Sequence, residues 1–323
     1  MKFNRRQLNL WGIPQVEETI VPSMPYMGSK RKLANKILNA IYQTVGDFDT
    51  LYDLFGGGGA MSVAAILAGH KTIYNELNPA IARLFKHVLS GGELPKEWIS
   101  REEFHAKING GDWQAGLLQT CWSFGNNHQK GYLYGKEVER LKQLAHNIVI
   151  DRDVVALQEL NKLLNCTLSM PRNRFDFKEQ IRASTVDRFD LEHLERLERL
   201  QQLESLERLQ HIESLQHLER LQHIESLQHL EILNLGYDAV ITESGIVYCD
   251  PPYQDTAEYK EGLNYADFWE WVKNHRLPVF VSEYSAPVDF AIVAEFEHRS
   301  TLSSTNNAKV TIEKLFWNGR NLQ

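Results

Sequence analysis

Two consecutive prolines, Pro251 and Pro252, stop the apolar run Ile246–Cys249, with Asp250 standing between run and prolines. The run is short, β-branched and aromatic, which reads as a buried strand. Proline has no backbone N–H and a fixed φ, so the strand must end there. Asp250 is thereby placed at the carboxyl end of a strand, the edge at which open α/β sheets bind their ligands. The carboxylate, a carbonyl held by proline geometry and the ring of Tyr253 fall within four residues. Such a group suits a planar base bearing an exocyclic amino group. The Asp250 carboxylate and the Pro251 carbonyl would accept its two hydrogens, and Tyr253 would cover the ring face. The competing structural reading is a strand-to-loop turn with a capping Asp and a packing Tyr.

A second strand–turn–helix pattern lies near the amino end. Residues 50–55 form a strand candidate, Gly56, Gly57, Gly58 and Gly59 follow, and 60–68 is a helix of small residues closed by Gly69. Residues 71–74 form another strand, and Glu76 comes after it. This is a βαβ half-unit. Glycines let the chain turn tightly and let a ligand approach the backbone, and an acidic residue at the second strand's end suits a pair of ribose hydroxyls. Ser62 stands where a nicotinamide-dinucleotide fingerprint has its third glycine. Asp53 before the glycines is better placed for a cationic methionine-like moiety than for a pyrophosphate, so the dehydrogenase reading is disfavoured.

Residues 1–22 carry few periodic signals and read as an irregular arm. Ser29 is a candidate N-cap for an amphipathic helix that buries Leu33, Ile37, Leu38 and Ile41. Lys30 would then lie in the helix's first turn, a poor place for a cation unless it meets an anion.

Tyr26-Met27-Gly28-Ser29-Lys30, Asp53-Leu54-Phe55-Gly56-Gly57-Gly58 and Asp250-Pro251-Pro252-Tyr253 stand in one order along the chain. In this the chain resembles the Dam-like DNA adenine methyltransferases of bacteria and phages. Residues 299–304, leading to Glu313-Lys314-Leu315, are similar to that family's last motif. The likeness covers roughly residues 25–145 and 235–318. It implies an α/β, Rossmann-like S-adenosylmethionine-dependent methyltransferase sheet with an inserted target-recognition region. It also implies S-adenosyl-L-methionine as cofactor, double-stranded DNA as partner, and a methyl group delivered to the amino nitrogen of an adenine flipped out of the duplex. Carried onto this chain, Tyr26, Lys30, Asp53, Phe55, Gly56, Gly57, Glu76 and Asp250 line the cofactor site, and Asp250, Pro251, Pro252 and Tyr253 are catalytic. Two rival readings share these residues: amino-group transfer to cytosine or to RNA, and a catalytically silent DNA-binding or scaffolding protein.

Between the cofactor and catalytic motifs, residues 111–190 are the expected target-recognition region. Asn126, Asn127, His128 and Lys130 sit among Trp113, Trp122, Tyr132 and Tyr134 on a glycine-punctuated stretch, a composition suited to contacting DNA. The alternative is a packed aromatic hairpin with a polar tip. Arg172 and Arg174 are candidates for phosphate contact, against the alternative of a solvated loop. A surface cluster of Lys130, Lys136, Arg140 and Lys142 would add to a basic face.

Residues 191–234 are a leucine-rich insertion in which Leu or Ile recurs at every third position from 191 to 233, and residues 206–217 and 218–229 are identical. A step of three slips the stripe by about 60° around an α-helix, so such a helix would be apolar on all sides. A small solenoid, a bent helix or helices, and a poorly ordered segment are the three readings, the solenoid first. The absence of Gly, Pro and Asn for corners counts against a solenoid. The histidines at 211, 217, 223 and 229 read as a solvated face rather than metal ligands.

The net charge of −7 sits oddly with a DNA partner, yet residues 191–231 hold nine Glu against four Arg, leaving 31 basic and 33 acidic residues elsewhere. Cys121, Cys166 and Cys249 show no metal or redox spacing and read as reduced, buried thiols in a cytoplasmic protein without a bound metal. No apolar run reaches membrane-spanning length. The expected organisation is a catalytic domain of residues 23–110 and 235–323, with the recognition region and the repeat between its halves. A restriction endonuclease is a candidate partner, and no oligomeric state is indicated.

Overall fold

The computed structural model describes residues 7–126, 131–186, 201–224, 227–252, 263–299 and 310–322. Asn127, His128, Lys130, Tyr253, residues 191–200 of the repeat and residues 300–304 of the last motif lie outside the described residues. The chain divides into two compact units, one of Met1–Gly92, Gly110–Gly116 and Arg220–Gln323, the other of Glu93–Asn109 and Leu117–Glu219. Among the described residues no helix is long and apolar enough to cross a membrane.

The first unit is a seven-stranded sheet flanked by helices. Its strands are β1 (Thr50–Asp53), β2 (Lys71–Asn75), β3 (Leu230–Leu233), β4 (Ile246–Cys249), β5 (Val279–Glu283), β6 (Ala291–Arg299) and β7 (Val310–Trp317). They lie in the order β3-β2-β1-β4-β5-β7-β6. Pairing from β3 through β5 is parallel, and β7 runs antiparallel between β5 and β6. This is the mostly parallel, Rossmann-like α/β sheet that the resemblance implied. Strands β1, β4 and β5 are buried at every position, as expected of parallel strands covered on both faces. The order reverses between β1 and β4, which opens a crevice at their carboxyl ends. Asp53 ends β1 opposite Tyr248 of β4, and Asp250 lies two residues beyond that pair.

The helices of this unit are α1 (Ala34–Val45), α2 (Ala60–Ala68), α3 (Pro79–Leu89) and α4 (Tyr265–Asn274). Asn78 caps α3 by accepting from the Ala80 N–H at 3.0 Å, with Pro79 at the first helical position. Ile37, Leu38 and Ile41 are fully buried as the periodicity required. Ser29, however, is not the N-cap of α1. The Lys30 carbonyl accepts from the N–H groups of Leu33 and Ala34, both at 2.7 Å, and closes a turn ahead of the helix. The Ser29 hydroxyl lies 3.2 Å from that of Ser23 instead. Strand β3 is the tail of the leucine repeat, so the repeat supplies a piece of the main sheet.

The second unit is helical, with Arg101–Lys107, Lys136–His146, Val154–Leu163 and Arg174–Val186 wholly inside it. Ser100 and Glu103 form a reciprocal capping box at its first helix. Its core joins Leu141, Leu144, Ile148, Leu160, Phe177 and Ile181 to repeat residues Leu203, Leu206, Leu209 and Ile212.

The solenoid expectation for the repeat does not hold for the described residues. Residues 201–206 are helical and Gln210–Gln222 is an α-helix. Leu, Glu, Arg and Gln favour helix, and no corner residue interrupts them. Leu203, Leu206, Leu209, Ile212, Leu215, Leu218, Leu221 and Ile224 are all buried, each burial stabilising by roughly 1.5–3 kcal/mol. The stripe winds about the axis, so successive leucines bury on different sides.

The second unit also corrects the charge reading. Arg174 and Arg182 pair with Glu213 and Glu207 at 2.9 Å, so the acidic repeat neutralises residues outside itself. Lys142 is not on a basic surface. It is buried, donates to the carbonyls of Ser205 and Arg208, and its pKa is lowered to about 8 by desolvation and then by Arg208. Nor do the repeat histidines form a uniform solvated face: His223 and His229 are exposed, but His211 is wholly buried. Cys121 and Cys249 are buried and Cys166 is half-buried.

Candidate active site

The crevice between β1 and β4 is floored by the glycine loop. Gly57 and Gly59 adopt left-handed backbone angles of +48° and +77°, which side chains with a Cβ rarely take. The loop is also packed from three sides by rings. A Cβ on Gly56 would fall 2.2 Å from Tyr74, one on Gly59 2.4 Å from Phe85, and one on Gly57 3.0 Å from Tyr26. The Tyr74 hydroxyl donates to the Gly57 carbonyl at 2.8 Å, and its ring stacks on Phe85 at 4.3 Å. Tyr26, from the first motif, thus covers the loop, and the Met24 N–H donates to the Gly58 carbonyl at 2.9 Å.

Glu76 follows β2 and accepts from Gly57 N–H and Asn78 N–H, both at 2.8 Å, one on each carboxylate oxygen. Burial raises its pKa, against the lowering effect of these backbone donors. The Asn234 amide donates to the Glu76 carbonyl at 2.7 Å, and Asn75 bridges the carbonyls of Leu54 and Leu235 at 3.1 and 3.0 Å. Two asparagines therefore hold the turn that carries Glu76. Phe55 faces the other way: it is half-buried, stacks on Tyr237 at 5.6 Å and meets Phe268 edge-on at 5.7 Å.

Asp53 is buried beneath the same loop. Its pKa is pushed up to about 7, first by burial and then by the charges of Asp250 and Glu76, against hydrogen bonds from Ser62. Lys30 reaches Asp250 with Nζ to Oδ1 at 2.8 Å, Glu313 on β7 at 3.5 Å and the Gly28 carbonyl at 3.2 Å. Burial alone would lower the Lys30 pKa, but the two carboxylates more than offset it and the net shift is upward. Pairing with Asp250 and Glu313 therefore favours Lys30 as a cation. Lys30 does not stand in the first turn of α1, which begins at Ala34, so helix-dipole repulsion is not what its two carboxylates answer. Pro251 is buried behind Asp250, and Pro252 is half-buried.

The remaining expected residues lie in the second unit. The Asn126 amide is turned inward, donating to the Thr120 carbonyl and lying 3.5 Å from the Ser214 hydroxyl. Arg174 is engaged by Glu213 and lies over the Phe175 ring at 4.2 Å. Arg172 is 84% exposed, with Asp176 3.5 Å from its Nε. Trp122, Tyr132 and Tyr134 are core. Sequence reasoning missed Tyr74, Phe85, Asn75 and Asn234, and met Glu313 only as part of the last motif, without a role. Of these only Glu313 carried a signal, its place in the stretch that resembles the family's last motif.

Buried carboxylates at the ends of neighbouring strands, over a loop that admits backbone approach, fit a cationic ligand with vicinal hydroxyls. The model of the family described as D12 class N6 adenine-specific DNA methyltransferase matches residues 26–290 of the chain. Strands β6 and β7 lie beyond that match. No curated protein matches the chain.

Proposed function

This chain belongs to the D12 class of N6 adenine-specific DNA methyltransferases, and on that premise we propose that Asp250 and Pro251 carry the transfer of a methyl group to adenine in DNA. The cytosine, RNA and scaffolding readings are not favoured by that membership. The methyl donor is proposed to be S-adenosyl-L-methionine, with Glu76 receiving the ribose hydroxyls, Gly56 and Gly57 allowing close approach, Tyr26 flanking the loop and Asp53 facing the positive charge. When bound, this cofactor supplies an electrophilic methyl group on a positively charged sulfur.

The adenine amino nitrogen is a weak nucleophile because its lone pair is conjugated with the ring. Asp250 and the Pro251 carbonyl accept its two hydrogens and favour a tetrahedral nitrogen as positive charge develops there. The catalytic contribution is a preformed negative charge in a water-poor crevice, together with alignment of the reacting atoms. A base inside a duplex cannot reach this crevice, so the target adenine is flipped out, and Tyr253 stacks on it. The second unit, inserted in sequence between α3 and β3, is proposed to recognise the double-stranded target, with Arg172 on a phosphate.

The observation that carries this reading is the Asp250 carboxylate at the reversal point of the sheet, its Oδ1 2.8 Å from the Lys30 ammonium. Incubation with labelled S-adenosyl-L-methionine and unmethylated DNA tests it. Methylated adenine is expected with the native chain, and Asp250→Ala should lower turnover about 100-fold or more while leaving cofactor affinity within a few-fold. Undiminished transfer by the variant would remove Asp250 from the chemistry.

A further inference from the structure

Lys30 is shared between two carboxylates, yet the chemistry proposed above uses only one of them. Glu313 lies near the amino end of β7, on the sheet edge where the parallel strands end, because β7 runs antiparallel to β5. Its side chain is 4% exposed and that of Lys30 6%, whereas Asp250 keeps 20%. A carboxylate buried this deeply is costly unless a cation meets it, and Lys30 is the cation that meets Glu313.

The sharing solves an electrostatic problem. An Asp250–Lys30 pair alone is neutral, and a lysine 2.8 Å from Oδ1 holds an oxygen that an amino hydrogen must reach. A second carboxylate makes the cluster of three charges net negative, the sign that a developing ammonium-like nitrogen requires. It also gives the Lys30 ammonium a place to go. We propose that Glu313 is a positioning residue for methyl transfer, drawing the Lys30 ammonium aside so that Asp250 can receive the substrate's amino hydrogens. This rests on the reading of Asp250 given above. It extends the reaction's machinery to β7, the antiparallel strand between β5 and β6.

The test uses the full chain and labelled transfer to unmethylated DNA. Glu313→Gln should lower kcat about tenfold or more, with KM for DNA and cofactor affinity within about threefold of native. Adding Glu313→Gln to Lys30→Met should cost nothing further, because without the ammonium Glu313 has only an unpaired charge to lose. A purely structural role predicts equal losses in both backgrounds, and that outcome overturns the proposal, as does native kcat in Glu313→Gln. If Glu313→Gln loses its fold, judged by lost cofactor binding, the comparison of Lys30→Met with the double variant decides alone: a further loss overturns the proposal. Failure of the Asp250 reading is separate, since it appears as native transfer by Asp250→Ala. Failure of the Glu313 proposal appears with Asp250→Ala inactive and Glu313→Gln unslowed.

Discussion

Ser62 donates twice to one oxygen of Asp53, its N–H at 3.1 Å and its hydroxyl at 2.7 Å, both to Oδ2. The first turn of α2 therefore grips the carboxylate at the end of β1, and the other oxygen takes part in neither bond. Burial still prevails and holds the Asp53 pKa at about 7, above its ordinary 3.8. The folded state thus binds this proton more tightly than the unfolded chain, so stability from this group is lost as pH rises from about 4 through 7. A cationic ligand prefers the ionised form. Cofactor affinity should accordingly rise between about pH 6 and 8, with proton release on binding near pH 6.5. Calorimetry in buffers of different ionisation enthalpy should detect that release in the native chain and not in Asp53→Asn. Equal release in both would assign the proton elsewhere.

The Glu76 carboxylate holds the Gly57 and Asn78 N–H groups at 2.8 Å, and its proposed second role is to receive the ribose hydroxyls. Glu76→Gln removes the charge and one acceptor. Cofactor affinity should fall about 10- to 100-fold, as for loss of one or two charge-assisted hydrogen bonds. Titration calorimetry reads this directly, and unaltered affinity would take Glu76 out of the site.

The glycine loop makes a stability prediction independent of any ligand. Gly59 has φ of +77°, and an added Cβ would stand 2.4 Å from the Phe85 ring, which is fully buried. Strain and overpacking add, so Gly59→Ala should destabilise the fold by about 2–4 kcal/mol. Gly69→Ala, at φ of +92° with nothing within 4 Å of the new Cβ, should cost only the backbone strain, about 1 kcal/mol. Denaturant unfolding of the two variants should show that order.

The sheet and its crevice were legible because proline and glycine punctuate them. Pro251 and Pro252 end β4, and Gly56 through Gly59 separate β1 from α2, whatever the rest of the chain does. The identical copies 206–217 and 218–229 show the opposite limit. Residues 210–217 of the first copy lie in one helix, while the second begins in that helix and reaches a 3₁₀ turn at Leu227–His229. Leu206, Leu209, Ile212, Leu218, Leu221 and Ile224 are buried in both. A period of three fixes which side chains are buried, and neighbours then choose the backbone. Neighbours also decided Lys142 and Arg174. Both look like surface cations in a polar stretch, and both are claimed by groups more than 35 residues away, the Arg208 carbonyl and Glu213. The pairing of Glu313 with Lys30 was hidden for the same reason, since only the fold brings the two together.

The second unit carries its own pH dependence. His211 Nδ1 lies 2.5 Å from the Tyr134 hydroxyl and its Nε2 2.8 Å from His146 Nδ1, with the Trp122 ring stacked at 4.4 Å. Burial, then the neighbouring His146 and Lys142, hold the His211 pKa well below 6.5, and burial lowers that of His146. Both rings are neutral in the fold and take up protons when the chain unfolds. Their contribution is present above about pH 6.5 and is lost as pH falls below it, at up to about 1.4 kcal/mol per pH unit for each ring. Urea unfolding followed by tryptophan fluorescence between about pH 5 and 7.5 should therefore show stability falling on acidification. Tyr134→Phe/His211→Phe exchanges the hydrogen-bonded pair for two apolar rings and should fall less steeply, because one titrating ring is gone. Parallel curves for the two proteins would mean that His211 is already protonated in the fold, contrary to its burial.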